Sequence, residues 1–136
     1  MDWFAGFERK TLMVQGLPVT FRQSTEWAEQ SQRPVLVLLH GFPQTHVMWQ
    51  RVAQQLRSSY RLVMPDLRGY GDSSHACGPA DHAHYSKRAM AQEVVALLDA
   101  LGVTDFYLCG HDRGGRVAHR LALDHASRVK KLCVID

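Results

Sequence analysis

Three cysteines in 136 residues, Cys77, Cys109 and Cys133, are odd in number and follow no metal-ligand spacing, so neither a disulfide framework nor a thiolate metal site is expected. Cys109 and Cys133 fall inside apolar stretches, where a free thiol behaves as a small hydrophobe. The first twenty residues hold no apolar run long enough for a signal sequence or a membrane span, which makes the cytoplasm the expected location and leaves no membrane partner. Charge of one sign is also scarce: 16 Lys and Arg against 13 Asp and Glu leave a formal charge of +3. The basic residues are scattered apart from Lys130-Lys131, so nucleic acid is not an expected partner. His82-Ala83-His84 beside Asp81 offers too few ligands for a metal and reads as a solvated loop. No metal and no cofactor is expected. What the chain does have is a 46% hydrophobic composition, enough for one globular domain at most at this length.

Strand and helix patterns alternate along it. Residues 12–14 and 17–21 read as two short strands around a turn at Gln15-Gly16, followed by a polar connection from Ser24 to Arg33 in which Trp27 is the only large apolar group. Residues 34–39 are apolar without alternation, the mark of a central strand covered on both faces. His40-Gly41-Phe42-Pro43 follows, then Trp49, Val52, Ala53 and Leu56 at helical spacing behind a Thr45 N-cap. Residues 61–64 form a short strand that opens into a turn-rich loop, 65–73, where Asp66 and Arg68 are expected to pair or to cap backbone. From a Ser86 N-cap, the stripe Met90, Val94, Leu97, Leu98 and Leu101 marks a core-covering helix stopped by Gly102. Residues 130–136 read as the last strand, with its one carboxylate, Asp136, at the final position.

The chemistry gathers at Gly110-His111-Asp112-Arg113-Gly114. The apolar run 106–109 ends at Gly110 and a helical pattern with Val117, Ala118, Leu121 and Ala122 begins after Asp112. The aspartate therefore sits on a sharp strand-to-helix turn, with glycines two residues to either side where strain and close approach require them. The spacing is that of a nucleophile elbow with Asp in place of Ser. A serine that attacked saturated carbon would leave an inert ether, whereas a carboxylate leaves an ester that water can open. An elbow aspartate thus points to displacement at a carbon bearing a halide or an epoxide oxygen. The alternative is an Asp that only caps the helix.

Arg113 and Arg116 stand in the first turn of that helix, where cations are disfavoured by the backbone dipole and an anion is favoured. Three residues apart, they share a face and can grip a substrate carboxylate while the adjacent carbon meets Asp112. The alternative is that they pair with Asp112 or reach solvent. The N–H groups of Phe42 and Arg113 are the candidate oxyanion hole, since the loop after a neighbouring strand is the usual second donor. His119, about two helical turns beyond Asp112, is expected to be packed or solvated.

The order of elements predicts an α/β fold with a mostly parallel, doubly wound sheet. Residues 40–49, 66–73 and 110–116, with Lys87-Arg88-Ala89-Met90 and 120–125, resemble the α/β-hydrolase superfamily and within it the haloacetate (fluoroacetate) dehalogenases. The resemblance covers residues 34–136 and implies that Asp112 is the nucleophile, Arg113 and Arg116 the carboxylate-binding arginines, and Asp136 the acid that orients a catalytic histidine. It implies that Phe42 and Arg113 lend backbone N–H groups to the oxyanion hole. The implied substrate is a small halogenated carboxylate, converted to glycolate and halide through an aspartyl ester. Soluble epoxide hydrolases share the aspartate elbow and a similar His-Gly-Phe-Pro loop, and Arg116 favours the haloacid. His125 is the last histidine and precedes the final strand, so residues 1–136 are expected to be a partial α/β-hydrolase core, the N-terminal half without cap domain, C-terminal strands or base, and inactive alone. A homodimer is possible for a full-length form. A non-catalytic binding or assembly module is the competing reading from a different class.

Overall fold

The computed structural model describes residues 2–71, 73 and 86–136. Asp72, Cys77 and the Asp81, His82 and His84 loop lie outside the described residues. The elements run β1 (Phe7–Val14), β2 (Leu17–Ser24), β3 (Val35–Leu39), a 3-10 turn (His46–Trp49), α1 (Gln50–Leu56), β4 (Arg61–Pro65), α2 (Lys87–Ala100), β5 (Phe106–His111), α3 (Arg113–Asp124) and β6 (Val129–Ile135). Six strands form one sheet in the order β1-β2-β4-β3-β5-β6. The hairpin β1–β2 and the β2–β4 pair are antiparallel, and β4, β3, β5 and β6 run parallel.

Covering on both faces explains the unbroken apolar run of β3. Val35, Val37 and Leu39 pack with the buried residues of α2 and α3, among them Val94, Leu97, Leu98, Val117 and Leu121. Leu38 points the other way, into a second cluster with Trp49, Ala53, Leu62, Met64, Phe4 and Phe7. The side chains alternate as a strand requires, but both destinations are apolar.

From β3 the chain passes to β4 on one side and returns to β5 on the other. The crevice between the carboxyl ends of β3 and β5 is therefore the topological switch point, where sheets of this kind bind ligands. In register, Leu39 lies beside Gly110.

The hairpin departs from expectation. Its strands are eight residues each rather than the short runs 12–14 and 17–21. Glu8, Arg9, Lys10 and Thr11 are exposed, and charged residues on an edge strand conceal it from a search for apolar alternation. Beyond Phe21, β2 stays in the sheet by pairing with β1 and β4, and Ser24 Oγ also accepts the Leu62 N–H at 2.9 Å. The segment behind Thr45 starts as a 3-10 turn, with the Thr45 hydroxyl accepting the Val47 N–H, and Val52 is exposed rather than buried. Ser86 caps α2 by accepting the Ala89 N–H at 3.0 Å, and Gly102, at φ 75°, follows that helix. Cys109 is buried, but its register partner Cys133 is exposed, because β6 forms the sheet edge among the described residues. Burial and the neighbouring Cys133 push the Cys109 thiol up to about 12.

Candidate active site

Asp112 stands between β5 and α3 at φ 53°, ψ −116°, a conformation strained for any residue with a side chain. Its backbone is tied on both sides: its N–H donates to Ile135 O at 3.1 Å and its C=O accepts the Arg116 N–H at 3.2 Å. The side chain makes no capping bond to the helix. Instead Oδ2 accepts the Phe42 N–H at 3.0 Å. The N–H groups of Phe42 and then Arg113 hold the carboxyl below the usual carboxylate range, with His111 and Arg116 adding to the effect. An exposed aspartate kept ionised and presented on a strained turn is the arrangement a nucleophile needs.

The glycines make this geometry possible. A Cβ on Gly110 would fall on the backbone of Gly114, and one on Gly114 on the backbone of Leu39 and His40. A Cβ on Gly41 would stand 2.6 Å from Asp112 Cβ. Side chains at these three positions would push apart β3, β5 and α3 where they converge under the carboxylate.

The loop after β3 is fixed from below. His40 is buried, its Nε2 accepting the Leu67 N–H at 2.9 Å and its Nδ1 lying 3.0 Å from Gly41 O. Burial lowers its pKa, so Nδ1 carries the proton and donates. Buried Asp66 accepts from both the backbone N–H and Nδ1 of His46, each at 2.8 Å, while Arg22 Nε donates to His46 Nε2 at 3.1 Å. Arg68 Nε donates to buried Glu93 at 2.7 Å, joining this loop to α2. Asp66 and Arg68 thus pair and cap as their loop position suggests. Their partners His46 and Glu93 carry no local sequence signal, because only the fold brings them together.

Both arginines are exposed. Arg113 Nη1 donates to Tyr70 Oη at 2.7 Å, and its guanidinium lies 5.2 Å from the Phe42 ring centroid. Arg116 lines a cleft of about 400 Å³ with Asp112, Gly115, His119, Val134, Ile135 and Asp136. Asp112, Arg116 and Asp136 therefore border one space, and exposed His119 forms part of its wall. Lys87, at the start of α2, is a third cation here: burial, then the charges of Arg113 and Arg116, lower its pKa. Tyr70 and Lys87 are members of the site that spacing along the chain does not single out, since they reach it through the 65–73 loop and the packing of α2 on α3. Among the described residues, no group of three metal-ligating side chains exists.

Residues 34–136 match the family model of the alpha/beta hydrolase fold. The chain is 47% identical to a fluoroacetate dehalogenase of Burkholderia sp over 98% of its own length and 42% of the relative's. It is 36% identical to epoxide hydrolase 4 of Mus musculus, with 80% of this chain and 30% of that protein aligned. Among solved structures, an epoxide hydrolase of Vigna radiata superposes with a TM-score of 0.84 at 32% identity, covering 97% of this chain and 40% of that one. The chain spans less than half the length of each of these relatives.

Proposed function

Because the chain belongs to the α/β-hydrolase fold family, we propose that it carries the nucleophile, oxyanion hole and carboxylate grip of an enzyme that hydrolyses haloacetates to glycolate and halide. The observation that carries this reading is the ionised Asp112 on its strained turn, with Oδ2 on the Phe42 N–H and Arg116 bordering the same cleft. The similarity to a fluoroacetate dehalogenase supports it.

The Phe42 bond divides the work of the two carboxylate oxygens. Oδ1 attacks the carbon that bears the halogen; a C–O bond forms as the carbon–halogen bond breaks, and halide leaves with the electron pair. Water then adds to the Asp112 carbonyl carbon. The negative charge that develops falls on Oδ2, which already accepts the Phe42 N–H, with the Arg113 N–H at the same carboxyl. Collapse breaks the bond between the acyl carbon and Oδ1, so glycolate departs with an oxygen from Asp112. Arg113 and Arg116 hold the substrate carboxylate throughout.

The attacking water must lose a proton. His119 lies seven residues along α3, roughly 10 Å from Asp112 by helical rise, too far for direct transfer. The base in this reading is a histidine outside residues 1–136, oriented by Asp136 at the end of β6. Asp112→Asn in the full-length protein should abolish halide release from fluoroacetate and chloroacetate, a loss of at least about 10³-fold for a missing nucleophile. Undiminished release would refute the assignment.

Epoxide hydrolysis is the second reading, favoured by the same elbow and by similarity to epoxide hydrolases. Arg116→Leu separates the two. It should reduce kcat/KM for chloroacetate by about tenfold or more, the value of a charge-assisted hydrogen bond, and reduce uncharged epoxide turnover far less. Equal losses would remove the carboxylate grip of Arg116 as the ground for the haloacid.

A further inference from the structure

Arg113 is held by neutral groups. Tyr70 Oη accepts from its Nη1 at 2.7 Å, and the Phe42 ring lies 5.2 Å from its Cζ. Among the described residues, no carboxylate forms an ion pair with it. An acidic partner would orient the guanidinium equally well but would cancel the charge an anionic substrate needs. A phenol orients without neutralising, and it leaves the remaining N–H donors of the planar fork available.

Tyr70 is itself fixed. Its N–H donates to Leu67 O at 2.9 Å and its C=O accepts the Ser73 N–H at 3.1 Å. Its ring meets His40 edge-on at 5.3 Å and Phe42 at 6.2 Å. The residue that supports Arg113 therefore also packs on the loop whose N–H holds Asp112. The Tyr70 ring thus packs on Phe42 while its hydroxyl holds the Arg113 guanidinium.

We propose that Tyr70 is a positioning residue that determines specificity, its phenol oxygen and the Phe42 ring holding the Arg113 guanidinium so that anionic substrates are selected over neutral ones of the same shape. This rests on the reading that Arg113 binds the substrate carboxylate. Tyr70→Phe keeps the ring and removes only the acceptor.

The test compares kcat/KM for chloroacetate and for chloroacetamide, a neutral counterpart, in the full-length protein. In Tyr70→Phe the preference for the anion should fall about fivefold to tenfold, as expected for losing one hydrogen bond to a charged group partly open to water, mainly through a higher KM for chloroacetate. Arg113→Met should lower it further. A preference that falls in Arg113→Met but not in Tyr70→Phe overturns the role of Tyr70 and leaves the carboxylate grip standing. An unchanged preference in Arg113→Met removes the grip itself, and this inference with it. A readout free of activity is nitrogen NMR of the guanidinium: rotation about the Cζ–Nη bonds of Arg113 should be slowed in the parent protein and released in Tyr70→Phe. Free rotation in the parent overturns the proposal.

Discussion

At the scale of single residues, two titrations set the pH behaviour. The carboxyl of Asp112 is held below its ordinary value of 3.8 by the Phe42 and Arg113 N–H groups, so the anion persists as the pH falls through the range in which a free aspartate takes up a proton. A single-turnover alkylation by bromoacetate should therefore keep its rate down to a pH below 3.8 wherever the fold survives, and an acid limb at or above that value would contradict the hydrogen-bond pattern. His40 acts in the opposite sense. Burial lowers its folded pKa from 6.5, so the unfolded chain binds the proton more readily. Stability is fully present above the unfolded value and declines as pH falls below it. The midpoint of thermal unfolding should drop between pH 7.5 and pH 5.5, and His40→Gln should flatten part of that dependence. The motif residues at this scale are readable in the sequence because their logic is local: Gly110, Asp112 and Gly114 lie within five positions of one turn.

Among the elements, the join between α2 and the loop after β4 is the one most open to attack. Arg68 and Glu93 are both buried, and burial pushes the Glu93 carboxyl up more than Arg68 draws it down. Removing one partner strands a polar or charged group in the core. Arg68→Met or Glu93→Leu alone should cost about 3 kcal/mol of unfolding free energy in urea titrations, and the double variant Arg68→Met with Glu93→Leu less than the sum of the two. A fully additive double variant would contradict the pairing. Element types follow from sequence where burial is uniform, as in β3 or the stripe of α2. They blur where it is not. The outer part of β1 is charged and exposed, and β2 continues through Gln23 and Ser24, whose place in the sheet depends on pairing with β1 and contacts with β4. Long-range pairs such as His46 with Asp66, or Arg113 with Tyr70, have no signature along the chain.

Across the whole molecule, the parallel sheet brings four sequence motifs to one end. The loop after β3, the 65–73 loop after β4, the elbow after β5 and Asp136 after β6 all lie at strand carboxyl ends, with α2 adding Lys87 from the side. No helix of the described residues is long and apolar enough to cross a membrane. On β6, Leu132, Val134 and Ile135 are exposed, and Leu132 and Ile135 border a groove of about 400 Å³ with Leu36, Trp49 and Tyr60. In the proposed mechanism the oxygen transferred to product comes first from Asp112, not from water. One turnover of the full-length protein in heavy-oxygen water, with enzyme in excess over chloroacetate, tests it most directly by mass spectrometry of the glycolate and of the Asp112 peptide. The expected result is unlabelled hydroxyl oxygen in the glycolate and one heavy oxygen in the Asp112 carboxylate. Labelled glycolate with an unlabelled Asp112 would mean direct attack by water and would contradict it.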